Sequence, residues 1–277
     1  MQDAIIIGCG RIGGGDETLS HASAYVRHDG FQLTGCVEPD DTRRKAFMAR
    51  WNVPRGYRSI QDAVKDNDDW SVASVCTPTP QHAADLRSLL ETGVRAVWCE
   101  KPLTGRVKES EQLVTSYLNA EKHLAVNYLR RWHPAIQDLQ AELAAGKWGT
   151  VKAMTGYYTK GLCNNGSHMI DLVHYLAGPL EPVAASWSAV SHEPSDPPID
   201  AILRTRDGAN VHLVVGDADD YALFELEIVA AQGTIRIEQS GRATRTRRTM
   251  EDPDSSGYTK PGWCRTSSSD SKNTPFC

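Results

Sequence analysis

The chain has 277 residues, of which 40% are hydrophobic and 23% charged, and its formal net charge at pH 7 is −5. These values are ordinary for a chain that folds around a core, so they exclude collagen-like, coiled-coil and wholly disordered proteins. The net negative charge argues against a nucleic-acid partner. No apolar run approaches the roughly 20 residues that span a bilayer, which argues against a membrane protein. We therefore expect a cytoplasmic protein of two modest domains.

The first 127 residues alternate short apolar runs with segments of helical spacing. The runs predict strands at Ala4–Ile7, Phe31–Val37, Val72–Cys76, Ala96–Cys99 and Leu124–Val126. The segments between them predict helices at Thr18–Arg27, Thr42–Arg50, Ile60–Lys65, His82–Glu91 and Val107–Ala120. This alternation is typical of βαβ units around a parallel sheet that is covered on both faces.

The pattern changes at about residue 128. A helix is expected at Ala135–Ala145 and another at Ser167–Leu176. Strands are expected at Val151–Tyr158, Val183–Val190, Ala201–Thr205, Val211–Val215, Leu223–Ala230 and Gly233–Glu238. Strands that follow one another across turn signals indicate an α+β domain, over residues 128–239, with a largely antiparallel, open-faced sheet.

The 40 residues that follow Ile237 contain no Val, Ile or Leu. Such a segment buries too little apolar surface to offset its ordering entropy, so residues 240–277 are expected to be mostly disordered. The alternative is an extended hydrophilic edge strand that Tyr258, Trp263 and Phe276 anchor.

A glycine-rich turn follows the first strand and has the sequence Gly8-Cys9-Gly10-Arg11-Ile12-Gly13. In this context the pattern indicates a Rossmann dinucleotide-binding domain over residues 1–127, because glycines permit a tight turn and close approach of the backbone to a pyrophosphate. The alternative is a glycine-rich turn without a ligand. Glu38 ends the second strand, where a carboxylate accepts hydrogen bonds from ribose hydroxyls, so NAD is favoured. Arg43 and Arg44 lie nearby and keep NADP possible.

Four further motifs occur after the glycine turn. They are Thr77-Pro78-Thr79-Pro80-Gln81-His82-Ala83, Cys99-Glu100-Lys101-Pro102-Leu103, Asn127-Tyr128-Leu129-Arg130-Arg131-Trp132-His133-Pro134 and Gly166-Ser167-His168-Met169-Ile170-Asp171-Leu172. Together with the glycine turn, and in this order over roughly residues 4 to 238, they resemble the glucose–fructose oxidoreductase, inositol dehydrogenase and rhizopine-catabolism (Gfo/Idh/MocA) family. The resemblance implies a nicotinamide-dependent sugar oxidoreductase.

The same resemblance assigns roles to residues. It implies that Thr77, Pro78, His82 and Glu100 help to bind the cofactor. Lys101 is a cofactor contact and also a catalytic residue, since a lysine at the carboxyl end of a parallel strand points into the ligand crevice and can exchange a proton with a carbinol. His168 matches the family's catalytic histidine. Asn164 stands where the family commonly has aspartate, so Asn164 is expected only to orient the substrate.

The leading hypothesis is hydride transfer between nicotinamide and a sugar or nucleotide sugar, by a homo-oligomer. No metal site is expected, because the seven cysteines are scattered and His168, Asp171 and His174 are spaced poorly for zinc. A rival hypothesis is a dinucleotide-binding protein without turnover, which Asn164 and an apparently shortened C-terminus favour. A third is an imine or small-carbonyl reductase on the same scaffold.

Overall fold

The computed structural model describes residues 1–66, 69–190, 196–252 and 254–263. It divides into two compact units, one over Met1–Leu129 and one that begins at Arg130. Each unit has its own buried core. Within the described residues, no helix has both the length and the apolar character that crossing a membrane requires.

The first unit is built on a six-stranded sheet in which every neighbouring pair of strands is parallel. The strand order is β3-β2-β1-β4-β5-β6. The strands are β1 (Gln2–Ile7), β2 (Phe31–Val37), β3 (Arg55–Tyr57), β4 (Val72–Val75), β5 (Ala96–Cys99) and β6 (His123–Val126). The chain crosses from β3 to β4 beside β1, so a topological switch point, where such sheets bind ligands, lies at the carboxyl ends of β1 and β4.

Helices connect the strands of this sheet, as the alternating pattern predicts. They are α1 (His21–Arg27), α2 (Asp41–Trp51), α3 (Ile60–Asp66), α4 (Thr79–Leu90) and α5 (Val107–Asn119). Two apolar clusters pack against the strands, one around Leu86 and Val97 and the other around Ile6 and Phe47. The continuous apolar run in β1 is buried throughout Ala4–Ile7 because helices cover both faces.

Two details differ from the sequence expectation. Helix α1 begins at His21 rather than at Thr18, because Ser20 caps it: the Ser20 side chain accepts the amide of Ser23, and Ser23 Oγ accepts the amide of Ser20. The short strand β3 was not expected at all, since its three residues are only half-buried and show no usable pattern.

The second unit is built on an eight-stranded sheet with the order β14-β13-β12-β11-β7-β10-β9-β8. Its strands are β7 (Val151–Tyr158), β8 (Leu180–Trp187), β9 (Ile199–Thr205), β10 (Asn210–Val215), β11 (Phe224–Ala230), β12 (Gly233–Glu238), β13 (Ala243–Glu251) and β14 (Thr259–Trp263). The pair β7–β10 is parallel and the remaining pairs are antiparallel. The sheet is therefore largely antiparallel, as expected.

Helices α6 (Pro134–Ala144) and α7 (Ser167–Ala177) supply the apolar side chains that cover this sheet. Alternate residues of β11, such as Leu226 and Ile228, are buried in the shared core, whereas those between them are half-buried or exposed. Gly156 in β7 permits close packing of α7, because a Cβ there would lie 2.7 Å from the Met169 side chain. This contact fixes the helix that carries His168.

The polar segment after residue 239 forms two strands, Ala243–Glu251 and Thr259–Trp263, and the expectation of a mostly disordered tail is wrong for these residues. Residues 243–248 of β13 pair with the whole of β12, and residues 247–251 of β13 pair with β14. The backbone of this segment forms hydrogen bonds with the edge of the sheet, so the two strands form although the segment contains no Val, Ile or Leu. The Arg248 guanidinium also lies 3.4 Å from the centre of the buried Trp148 ring. Tyr258 is exposed, and Phe276 lies outside the described residues.

Candidate cofactor and active site

The glycine turn at the end of β1 is shaped by two contacts that no side chain would tolerate. Gly8 has φ +94°, and a Cβ on it would lie 2.8 Å from the Thr77 amide nitrogen at the end of β4. A Cβ on Gly13 would lie 2.1 Å from the Gly8 carbonyl oxygen. Both glycines are therefore required by the protein's own backbone at the switch point of the sheet.

Gly10 differs from Gly8 and Gly13, the other two glycines of the motif. A Cβ on Gly10 would meet nothing within 4 Å, so the missing side chain leaves open space above the turn. A five-residue helical turn, Arg11–Gly15, starts directly after it, and Arg11 and Ile12 are exposed. The first N–H groups of such a turn have no acceptor within it. The open backbone surface and these donors fit the pyrophosphate of a dinucleotide.

Glu38 lies at the end of β2 and connects this strand to the glycine turn. Its Oε2 accepts the amide of Cys9 at 3.1 Å, and its Oε1 accepts the amide of Asp40 at 3.1 Å. The exposed Arg43 guanidinium forms an ion pair with the same carboxylate at 3.3 Å. Arg44 is held by the Glu38 carbonyl and by Asp41. Both arginines therefore already have anionic or carbonyl partners, and the carboxylate lies where a ribose is expected.

The loops after β4 and β5 are joined by His82. Its Nε2 lies 2.8 Å from the Thr77 carbonyl oxygen and its Nδ1 lies 2.9 Å from the Pro102 carbonyl oxygen. The ring is 1% exposed. Because both nitrogens face main-chain acceptors, His82 holds the two loops together, and its contact with the cofactor stays a prediction. The Thr77 hydroxyl donates a hydrogen bond to the Asp85 carboxylate at 2.6 Å.

Glu100 is the centre of a polar network that the sequence did not indicate. Its Oε1 accepts hydrogen bonds from His21 Nε2 at 2.9 Å and from Asn127 Nδ2 at 2.6 Å. The other ring nitrogen of His21 contacts Ser74 Oγ at 2.9 Å, and the Tyr25 hydroxyl contacts the same oxygen at 2.8 Å. The network joins α1, β4, β5 and the residue after β6.

Burial acts to raise the pKa of Glu100, but the hydrogen bonds from His21 and Asn127 outweigh it and lower the pKa below the ordinary value. The carboxylate is therefore ionised at neutral pH and acts as a fixed acceptor. Glu100 is a half-buried anchor for its neighbours, and Lys101 follows it at the carboxyl end of β5. The Lys101–Pro102 peptide bond is cis.

Asn164 and His168 belong to the second unit, whereas Lys101 belongs to the first. Asn164 lies in a helical turn, Leu162–Gly166, directly before α7, and the buried His168 lies in the first turn of α7. The Asp196 carboxylate accepts the amide of Cys163 at 2.7 Å and that of Asn164 at 3.2 Å. Asp196 therefore holds this turn in place with a carboxylate that the sequence motif did not reveal.

Of the remaining polar residues of α7, Asp171 forms an ion pair within the protein and His174 faces solvent. Both oxygens of Asp171 accept the Arg131 Nε at 2.8 Å, and Arg131 Nη2 lies 2.7 Å from Asp171 Oδ1. His174 is exposed. Within the part of the chain that the structure describes, no cluster of three or more His, Cys, Asp or Glu side chains is arranged to hold a metal ion.

The fold and the glycine turn define a nucleotide-binding protein of the NAD-binding Rossmann class. The family described as an oxidoreductase family with an NAD-binding Rossmann fold, GFO/IDH/MocA, matches residues 3–128. The C-terminal domain of the same family matches residues 155–236. The two matches cover about three quarters of the chain, and the protein belongs to the GFO/IDH/MocA family.

Individual relatives are distant. The chain is 24% identical over 260 residues to D-apiose dehydrogenase of Paraburkholderia graminis, with 86% of this chain and 68% of the relative covered. It is 26% identical over 239 residues to inositol 2-dehydrogenase of Corynebacterium glutamicum, with 80% and 70% covered. The crystal structure of the WlbA dehydrogenase from Bordetella pertussis with NADH and UDP-GlcNAcA has a TM-score of 0.80 at 20% identity, with 91% and 79% covered.

Proposed function

We propose that this protein is an NAD-dependent oxidoreductase that moves a hydride between the nicotinamide and a ring carbon of a sugar or nucleotide sugar. The observation that carries the proposal is the glycine turn with its open space at Gly10, in the same unit as Glu100 and Lys101 at the end of β5. Membership of an oxidoreductase family supports it.

The cofactor, when bound, accepts or delivers the hydride. Lys101 then carries the proton of the reacting oxygen: as a neutral amine it takes the proton from the alcohol, and as an ammonium it returns that proton to the ketone. His168 assists this transfer. Asn164 binds a substrate hydroxyl, because an amide side chain donates and accepts hydrogen bonds but does not titrate near neutral pH.

The substrate class is supported by the relatives. Two of them are named for the sugar apiose and the polyol inositol, and WlbA was crystallised with a nucleotide sugar. We propose polyhydroxylated substrates of this kind for the present protein. A homo-oligomer and a cytoplasmic location stay predictions of the sequence. Exposed apolar side chains on the second sheet, such as Val214 and Val229, support a homo-oligomer.

The test is the substitution of Lys101 by methionine, which keeps the apolar stem and removes the amine. We expect turnover on a responsive sugar to fall by about 100-fold or more, because proton transfer is lost, while the NADH dissociation constant stays nearly unchanged. Turnover is followed by NADH absorbance and NADH binding by calorimetry.

The matched control is Lys108→Met, since Lys108 is an exposed lysine of α5 in the same unit. It should leave both quantities unchanged. If Lys101→Met keeps wild-type turnover, Lys101 is not the proton carrier. If the wild type binds NADH but turns over no sugar, polyol or nucleotide sugar, the rival without turnover replaces the proposal.

A further inference from the structure

Arg130, the first residue of the second unit, is a buried cation without a carboxylate partner among the described residues. Its side chain is only 8% exposed, its Nε donates to the Ser240 carbonyl at 3.2 Å, and its Cζ lies 3.4 Å from the centre of the Phe224 ring. The next arginine differs, because Arg131 forms an ion pair with Asp171 at 2.7 Å. A buried charge without a counter-ion costs free energy, so Arg130 calls for an anionic ligand.

The two terminal nitrogens of Arg130, Nη1 and Nη2, are the part of the guanidinium that a ligand can reach. Neither has a hydrogen-bond acceptor in the described part of the chain, and neither is closed off from solvent. Burial lowers the pKa of Arg130 to about 10, so the side chain is still a cation at neutral pH. Two parallel N–H groups of a guanidinium match the paired oxygens of a carboxylate or a phosphate.

The place of Arg130 in the second unit indicates that this anion belongs to the substrate. Phe224, on which the guanidinium lies, is directly opposite Tyr158 in the ladder between β11 and β7, and both rings are buried in the core beneath α7. A Cβ on Gly166, the residue before α7, would lie 3.1 Å from the Tyr158 ring. Arg130 therefore lies on the same side of the sheet as the first turn of α7, which carries His168.

We propose that Arg130 binds an anionic group of the substrate, a carboxylate or a phosphate, through Nη1 and Nη2. The substrate is then a sugar acid or a phosphate-bearing sugar such as a nucleotide sugar, and a neutral sugar lacks the group that Arg130 binds. The inference rests on the proposed function, because it narrows the substrate class of that same oxidoreductase.

The test measures the binding of four probes by calorimetry, with and without saturating NADH: glucose, glucuronate, UDP-glucose and inorganic phosphate. Glucuronate adds a carboxylate to the neutral sugar, and UDP-glucose adds phosphates, so the two probes distinguish the sources of the anion. We expect at least one of them to bind about tenfold or more tightly than glucose, as hydrogen bonds to a charged group supply. In Arg130→Met, which keeps an apolar stem over Phe224 and removes the charge, this preference should disappear.

Two further variants make the result decisive. Arg206→Met changes an exposed arginine of the same unit and should keep the wild-type preference. Arg130→Lys keeps the charge, loses the paired N–H groups and should weaken the preference, so it serves if the methionine variant does not fold.

Three outcomes overturn the inference and leave the proposed function intact. They are a preference that persists in the Arg130 variants, equal binding of glucose and both anionic sugar probes to the wild type, and binding of inorganic phosphate only. Absence of binding by all four probes overturns it as well. Failure of the wild type to bind NADH overturns the proposed function itself.

Discussion

Gly10 and Gly13 are both glycines of one motif, yet the structure needs them for different reasons. A side chain at Gly13 would collide with the Gly8 carbonyl, whereas a side chain at Gly10 would point into open space. Gly10 also has an ordinary extended backbone conformation, with φ −71° and ψ −166°. The protein's own fold therefore requires glycine at position 13, and we propose that the ligand requires it at position 10.

This difference predicts opposite effects of two alanine substitutions. Gly10→Ala should leave the free energy of unfolding within about 0.5 kcal/mol of wild type but weaken NADH binding about tenfold or more, because the added methyl occupies the space of the pyrophosphate. Gly13→Ala should lower the free energy of unfolding by about 1–3 kcal/mol through overpacking. Urea denaturation and calorimetry measure the two quantities. Wild-type NADH affinity in Gly10→Ala would place the pyrophosphate elsewhere.

The sequence indicated some of these residues and missed others for a physical reason. The glycine turn and Glu38 follow strands at fixed spacing, so their places were predictable. The contact between His21 and Glu100 joins residues 79 positions apart, and the contact between Arg130 and Phe224 likewise joins distant residues. The loop motif that contains His82 does not reveal that its ring is enclosed between two carbonyl oxygens. Local patterns do not contain this information.

Strand β13 shows how a polar segment is ordered by what it joins. It carries no Val, Ile or Leu, yet its residues 243–248 form a ladder with the whole of β12. Arg248 adds a further contact: its guanidinium stacks on the buried Trp148 ring, and its Nη1 donates to the Lys147 carbonyl at 2.5 Å. The long side chain of an arginine thus supplies packing as well as charge.

We predict that Arg248→Ala lowers the free energy of unfolding by about 1 kcal/mol, which is typical of a stacked cation with part of its stem buried. The matched control is Arg245→Ala on the same strand. Arg245 is more exposed and pairs with Glu238 at 2.8 Å, so its removal should change the free energy by less than about 0.5 kcal/mol. Equal effects in urea denaturation would show that the Trp148 contact contributes nothing specific.

The regular strands and helices were predictable to within a few residues, because their apolar periodicity reflects burial against a sheet. Strand β7, for example, was expected and found at Val151–Tyr158. The pairing of strands was less accessible: the parallel contact of β10 with β7 and the addition of β13 and β14 at the sheet edge arise from long-range registry. A prediction of disorder from composition does not consider that an unpaired sheet edge can bind a polar segment through backbone hydrogen bonds.

The first unit combines a switch-point sheet, a glycine turn and the buried Glu38 carboxylate, and on these grounds we propose that it binds NAD(H) for an oxidoreductase. We propose that Glu38 also decides between the two nicotinamide dinucleotides. Its buried carboxylate would repel a 2′-phosphate, and Arg43 is already paired with it. NADH should therefore bind more tightly than NADPH.

The most direct measurement is a calorimetric titration of the purified protein with NADH and, separately, with NADPH. We predict saturable binding of NADH, with a dissociation constant at least about tenfold lower than that of NADPH. This ratio corresponds to roughly 1.4 kcal/mol of charge repulsion between Glu38 and the 2′-phosphate of NADPH. Tighter binding of NADPH would contradict the role given to Glu38. The absence of binding by either nucleotide would contradict the central claim.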